Sequence, residues 1–448
     1  MKMYDTPQEL SKYLNIKLEC DCGRTHYVPI KGVEIGADAI ERLPHYVKSL
    51  GYAHPLVLCD EITYKIAGAR CMELMQTAGI AAAEHTLTHL GFDEATLGEI
   101  VINKPDDCDL IIGVGTGSIT DMTRYSSFKL KLPCFTVATG APMDGFAASI
   151  GIMNVNNLKA TMPAHCTEVI IGDTDILKTA PYRMTVAGFG DLIGLNDWEL
   201  ARIINGEHYC HNIVTLVREC VADVMKEAPK IKQRDPETLG SVMRGLVLSG
   251  AAISLYGDSR PASGAEHHMS HYWETILEQR GIRPAMHGEQ VAVGTVLVLM
   301  LIEELLKEDV DFAAARELAR AYDYEAWEQE IRAHYGIAAD EVIAMEQKAG
   351  KNAVPGRLRR IDSMEKHWDA VRAQLMTLPS SSSLRSLLRD IGCPCTPAEI
   401  GVDDALLMDT FRYCKEIRAR YTVFQTVFDL GLTDKLAARV IEKANSAD

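Results

Sequence analysis

The chain has no basic surplus: 46 Lys and Arg stand against 62 Asp and Glu in 448 residues, a formal net charge of −16. Nucleic-acid backbones and anionic membrane surfaces need a basic face, so the charge argues against both partners; a small anion held by a few local cations stays open. A long apolar run is also missing. The most apolar stretch, Val291 to Ile302, is 12 residues between glutamates. A bilayer span takes about 20 residues, so this stretch reads as a buried helix. The N-terminal Met1-Lys-Met-Tyr-Asp-Thr-Pro7 lacks the apolar core of a signal peptide. C-x-x-C spacing is absent too. The 12 cysteines are scattered, and the close pairs Cys20-Asp-Cys22 and Cys393-Pro-Cys395 are C-x-C. That pattern points to reduced, structural thiols in a cytosolic protein, not to a zinc knuckle or a disulfide framework. No solenoid-type repeat and no disordered tail can be seen in the chain.

What is present is ordinary for a soluble enzyme: 47% hydrophobic and 24% charged residues. This length predicts two domains. The first third alternates strand-like and helix-like segments: a strand at Pro55-Leu-Val-Leu-Cys-Asp60, a helix over Tyr64 to Gly79, a strand at Asp109 to Val114, a helix from about Ser118, and strands at Cys134 to Ala138 and Val169 to Gly172. Such alternation implies parallel βαβ units with ligands at the strand carboxyl ends. Past Pro181 helical periodicity takes over, at Asp191 to Ile204, His211 to Lys226, Thr238 to Leu255, Gln290 to Lys307, Asp311 to Tyr322 and Asp404 to Tyr421. Leu378-Pro-Ser-Ser-Ser-Ser383 reads as a polar loop before a last helical segment. The expected organisation is an α/β dinucleotide-binding domain over 1–178 and an all-helical domain over 179–448.

Gly113-Val-Gly-Thr-Gly-Ser-Ile-Thr-Asp121 follows a strand and opens a helix. Glycines let backbone N–H groups approach a phosphate, and a helix N-terminus favours its charge; a plain tight turn is the alternative. Asp60 ends a strand, where a carboxylate can take a cofactor ribose or cap the next helix. Thr139-Gly-Ala-Pro-Met-Asp144-Gly follows the neighbouring strand, and Asp144 could hold substrate hydroxyls or stabilise its own turn. Asp191 in Gly188-Phe-Gly-Asp191, the His267-x-x-x-His271 pair and His287 in His287-Gly-Glu are metal-ligand candidates. Each also has a plainer role: helix capping for Asp191, structural hydrogen bonding for the histidines, a loop position for His287. Position 195, four after Asp191, is leucine, so a helix offers no fourth ligand from that face. Three protein ligands leave the open position that a Lewis-acid site needs.

The ordered set resembles the iron-containing alcohol dehydrogenase and dehydroquinate synthase-like superfamily, and within it the sn-glycerol-1-phosphate dehydrogenases, particularly the bacterial arabinose-operon type. The resemblance runs from about residue 20 to 430 and is carried by five stretches. They are the glycine loop continuing through Met122-Thr-Arg-Tyr-Ser126, Thr139 to Gly145, Ala187-Gly-Phe-Gly-Asp-Leu192, Ser259-Arg-Pro-Ala-Ser-Gly-Ala-Glu-His-His-Met-Ser-His271, and His287-Gly-Glu-Gln-Val-Ala-Val-Gly294. It implies a nicotinamide cofactor, NAD(H) or NADP(H), held by Asp60, Gly117, Ser118, Ile119, Thr120, Asp121, Thr139, Gly140, Ala141 and Pro142. It implies one divalent metal on Asp191, His267 and His287, with zinc or nickel favoured over iron. Asp144, Asp191 and His271 match substrate-contacting positions. Where the family often has serine four residues after Asp144, this chain has Ala148, and Ser149 is the substitute candidate. A homodimer in the cytoplasm is also implied.

The expected reaction is reversible reduction of dihydroxyacetone phosphate to sn-glycerol 1-phosphate, with Asp191 and His271 catalytic and Arg260 as the phosphate partner. A carboxylate at Asp60 favours NADH by repelling a 2′-phosphate. The same sites could serve a glycerol or polyol dehydrogenase, or a carbocycle-forming lyase that retains NAD and releases phosphate. Arg260 and lysines such as Lys159 are the only cations near the expected site, with no denser anion-binding cluster.

Overall fold

The computed structural model describes residues 14–446 except Phe92, Asn156, Asn157 and Asn196, and not the side chains of Ile152, Asn154 and residues 158–161, Lys159 included. Ten strands are found among the described residues: β1 (Leu18–Glu19), β2 (Thr25–His26), β3 (Gly32–Gly36), β4 (Pro55–Cys59), β5 (Ala83–Thr86), β6 (Leu110–Gly115), β7 (Cys134–Ala138), β8 (Ile150–Val155), β9 (Leu158–Pro163) and β10 (Val169–Asp173). Six form one parallel sheet in the order β3-β10-β7-β6-β4-β5, while β1-β2 and β8-β9 are antiparallel hairpins. Past β10 the described chain is helical.

The chain forms two compact units, one of Met1–Leu192 with Cys210–Ala262 and one of Ile193–Tyr209 with Ser263–Asp448. In the first, the central strands β4, β6, β7 and β10 are buried at every position and mostly apolar, because both sheet faces are covered. Val57, Ile112, Val114, Phe135, Val137 and Ile171 pack on one face with Val47 and Met75. Leu56, Leu58 and Ile111 turn to the other, against Ile100 and Met122. The Pro236–Tyr256 helix is buried along most of its length, as a core helix of this unit.

Strand order places the ligand edge. After β4 the chain steps outward to β5, then returns to the far side of β4 as β6 and continues through β7. The direction therefore reverses between β4 and β6, and the carboxyl ends of adjacent strands splay around a crevice there. Asp60 follows β4 and Thr116 follows β6.

Several sequence expectations are corrected. The run predicted over Asp191 to Ile204 is two helices, Tyr182–Leu192 and Trp198–Asn205. Leu195 lies beyond the first of them and shares no helix face with Asp191, so its being leucine says nothing about a fourth ligand. The helix predicted to reach Tyr421 ends at Tyr413 and continues as a short 3-10 turn, Cys414–Ile417. Half of the expected serine loop is helix: Ser380 caps Ser381–Ile391 by accepting from Ser383 N at 3.2 Å.

Candidate active site

In the first unit, the Gly117–Leu130 helix begins directly after β6 with Thr116 as a cap residue that makes no side-chain cap bond. A Cβ on Gly113 would meet Thr123 Oγ1 at 2.3 Å, and one on Gly115 would meet Ile119 at 2.7 Å. These two glycines let the helix lie close on its own strand, which fixes the aim of its first amides. Thr120 is fully buried, and Asp121 is paired with the buried Arg124, which also donates to Ala148 O and, at 2.9 Å, to Ile150 O. Asp60 caps the helix after β4: its Oδ1 accepts from Ile62 N at 2.8 Å and Thr63 N at 2.7 Å. The capping alternative for Asp60 is thus realised, through one carboxylate oxygen.

The loop after β7 sits beside the glycine loop, since Thr139 N donates to Gly115 O at 3.1 Å. Gly140 is crowded by Met184, and a Cβ on Gly188 would meet Ala141 O at 2.0 Å, so the Tyr182–Leu192 helix packs hard on the Thr139–Pro142 backbone. Asp191, in the last turn of that helix, is 4% exposed and its Oδ2 accepts from Asp144 N at 2.9 Å. It is an interior helical residue, not the helix cap its preceding glycines suggested. Asp144 is itself held by Ser249, which donates to its Oδ2 at 2.8 Å. Ser149 begins the segment leading into β8, and its backbone oxygen accepts from Ala164 N at 3.1 Å. Arg260 is 4% exposed, in a turn where its N–H donates to Asp258 Oδ1 at 2.9 Å.

The second unit carries the histidines. The Ala265–Gln279 helix presents His267 and His271, and His287 is the first residue of His287–Leu305 rather than a loop residue. The two helices approach closely where Gly294 faces Glu266, a Cβ there meeting Glu266 O at 3.0 Å. The His267 and His287 ring centroids lie 5.3 Å apart, and His271 stacks on His287 at 5.2 Å. Carboxylates orient all three rings. Glu266 Oε1 pairs with His267 Nδ1 at 2.6 Å and accepts from Gly264 N at 2.8 Å. Glu274 spans the other two, Oε1 to His287 Nδ1 at 3.2 Å and Oε2 to His271 Nδ1 at 3.4 Å. Ser270 Oγ adds a 3.1 Å contact to His287 Nδ1. Burial pushes the His271 pKa down to about 3, and the Arg418 charge adds to this against the pull of Glu274. His271 is therefore a neutral imidazole at neutral pH.

The family described as iron-containing alcohol dehydrogenase matches residues 34–181. The glycerol-1-phosphate dehydrogenase [NAD(P)+] of Halalkalibacterium halodurans is 28% identical over 424 residues, covering 92% of this chain and 96% of that one. That of Methanosphaerula palustris is 33% identical over 418 residues, covering 92% of each. The chain belongs to the glycerol-1-phosphate dehydrogenase family. Its fold is shared beyond that family: glycerol dehydrogenase from Schizosaccharomyces pombe aligns with a TM-score of 0.62 at 17% identity, covering 97% of this chain and 95% of that one.

Within the first unit of this family member, the structure brings Asp144 and Asp191 into contact and sets the Thr139–Pro142 loop beside the glycine loop. Within the second it clusters His267, His271 and His287. Glu266, Ser270, Glu274, Ser249 and Arg124 were missed by sequence reasoning. Glu274 had a usable signal, three residues after His271 and seven after His267 on one helix face. Arg124 had one as well, three residues after Asp121 on one helix, whereas Ser249 had none because its partner Asp144 comes from a distant segment.

Proposed function

We propose that this chain catalyses the reversible NAD(P)H-linked reduction of dihydroxyacetone phosphate to sn-glycerol 1-phosphate with one divalent metal. The observation that carries the proposal is the 33% identity across 92% of both chains to a glycerol-1-phosphate dehydrogenase [NAD(P)+]. The donor set fits a metal: His267 and His287 each turn Nδ1 to a glutamate, the arrangement in which Nε2 is the ligating nitrogen. Asp191 is assigned as the third ligand. Two imidazoles and a carboxylate suit zinc or nickel, with ferrous iron next. When bound, the metal supplies Lewis-acid polarisation of the ketone and the nicotinamide supplies hydride.

The remaining work falls to the chain's own residues. Gly117, Ser118 and Ile119 offer the uncapped helix N-terminus to the cofactor pyrophosphate. Thr120 and Asp121 shape that helix start, and Thr139, Gly140, Ala141 and Pro142 line the cofactor's other side. Asp60, whose capping bonds use Oδ1, takes the ribose and favours NADH. Asp144, fixed by Ser249, and Ser149 hold substrate hydroxyls, and Arg260 takes the phosphate as a charge-assisted partner. His271 is assigned to proton delivery to the product oxygen, by orienting the water that gives the proton. The enzyme works as a homodimer in the cytoplasm.

Protein stripped of metal and reloaded separately with zinc, nickel and ferrous iron tests the assignment, with NADH oxidation on dihydroxyacetone phosphate as readout. Activity restored by one of the three, and lost together with metal content in Asp191→Ala, is expected. Full activity of the stripped protein, or of Asp191→Ala, would overturn it.

A further inference from the structure

Cys20, Cys22, His26 and Cys210 converge in the first unit, far in sequence from every residue assigned above. The first three lie on the β1-β2 hairpin, where Leu18 pairs with His26 and Glu19 with Thr25. A tight turn joins the strands: Cys20 N donates to Arg24 O and Gly23 N to Cys20 O, both at 3.1 Å. Gly23 sits at φ +85°, in the left-handed region, so the turn needs glycine there. The turn folds Cys20 and Cys22 toward one point. Cys210 arrives from the other side as the fully buried cap residue of the His211–Glu227 helix.

The separations are those of a tetrahedral metal site. With zinc–sulfur bonds of about 2.3 Å and zinc–nitrogen bonds of about 2.0 Å, tetrahedral edges are about 3.8 Å for S···S and about 3.5 Å for S···N. Cys20 Sγ lies 3.6 Å from Cys210 Sγ. His26 Nε2 lies 3.3 Å from Cys22 Sγ and 3.5 Å from Cys210 Sγ. All four donor atoms fall within 4.8 Å of one another. The outer contacts match a ligand set as well. His26 is 1% exposed and holds Leu255 O through Nδ1 at 2.8 Å, which leaves Nε2 as the coordinating nitrogen. Asn212 Nδ2 donates to Cys20 Sγ at 3.1 Å, a bond that favours thiolate over thiol. Cys210 stands at a helix N-terminus, which favours negative sulfur.

We infer that Cys20, Cys22, His26 and Cys210 form a second, structural metal site that binds zinc in a Cys3His tetrahedron. It gives a ligand role to a C-x-C pair whose spacing alone reads as plain thiols: the further ligands come from four residues on and from a helix start 184 residues beyond His26 (210 − 26). Binding Zn²⁺ displaces three thiol protons to solvent, with no change in oxidation state. The site carries no catalysis. It fastens the hairpin to the His211–Glu227 helix, alongside His26 on Leu255 and Arg24 over the Tyr256 ring at 4.9 Å.

Cobalt substitution separates this site from the proposed Asp191, His267 and His287 site, because only a thiolate site gives intense near-ultraviolet sulfur-to-cobalt charge-transfer bands. Full-length protein loaded with cobalt should show these bands, keep them in Asp191→Ala, lose them in Cys210→Ser and Cys22→Ser, and strengthen them in His26→Cys. Titrating the zinc-loaded wild type with a mercurial should release one zinc per chain beyond the zinc removed by mild chelation, a readout that needs no variant to fold. Absent charge-transfer bands, bands untouched by Cys210→Ser, no mercurial-released zinc, or a Cys20–Cys210 disulfide in the freshly purified protein would each overturn the inference.

Discussion

Glu274 serves two histidines with its two oxygens, so a single charge on one helix sets the ring planes of both His271 and His287. Glu274→Gln should therefore weaken metal binding about 10- to 100-fold, the usual cost of losing a carboxylate behind a ligating histidine. Competition against a chelator of known affinity measures this, and unchanged affinity would mean the carboxylate is a packing group. Arg260→Ala removes the proposed phosphate partner. Loss of a charge-assisted bond worth about 1.5–3 kcal/mol should raise KM for dihydroxyacetone phosphate about 10- to 100-fold, with little change for unphosphorylated dihydroxyacetone. Equal changes for both ketones would assign Arg260 to folding. At this scale the sequence shows which residue types gather but not their supports. His267, His271 and His287 stand out by spacing, whereas Ser249 under Asp144 is visible only once distant segments are packed. The capping alternative for Asp191 failed because the glycines before it lie inside a helix, where Gly188 admits Ala141 O.

Among elements, the buried parallel strands were legible because strands covered on both faces are apolar at nearly every position: β4 and β6 read as continuous runs, and β7 and β10 as runs broken only by Thr136 and by the terminal Asp173. The edge strand β5, Ala-Glu-His-Thr, has no such pattern, and the two-residue strands β1 and β2 are too short to show any. The Pro236–Tyr256 helix shows how one element sets the site. Gly250 lets it approach the Asp144 backbone, where a Cβ would meet Asp144 O at 2.3 Å, and Ser249 next to it holds the Asp144 side chain. Gly250→Ala should destabilise the protein by about 1–3 kcal/mol, the cost of overpacking. Denaturant unfolding measures this, and activity should fall with it because Asp144 is displaced. An unfolding midpoint equal to wild type would show that the loop yields without cost.

At the scale of the whole molecule, stability and function draw on different buried charges. Glu416 is buried with Lys351 and Lys415, accepts from Asn352 Nδ2 at 2.7 Å and from Trp327 Nε1 at 3.1 Å, and closes the second unit far in sequence from the histidines. Burial alone would raise its pKa, but the two lysines and the hydrogen bonds outweigh this and hold it at about 2 against the usual 4.5. A depressed carboxyl stabilises the fold above pH about 4.5, and that stabilisation is lost as pH falls toward 2. Glu416→Gln should cost about 3–5 kcal/mol at pH 7, because two lysines stay buried without their counter-charge. Its acid-unfolding curve should also lack the step between those two values. A variant as stable as wild type at pH 7 would remove the cluster from the stability account.

NADH oxidation by the metal-loaded enzyme on dihydroxyacetone phosphate and on dihydroxyacetone, with the configuration of the product determined, tests the proposed substrate most directly. A strong preference for the phosphate ester with sn-glycerol 1-phosphate as the product is expected. Equal turnover of the unphosphorylated ketone, or formation of the 3-phosphate, would contradict the account.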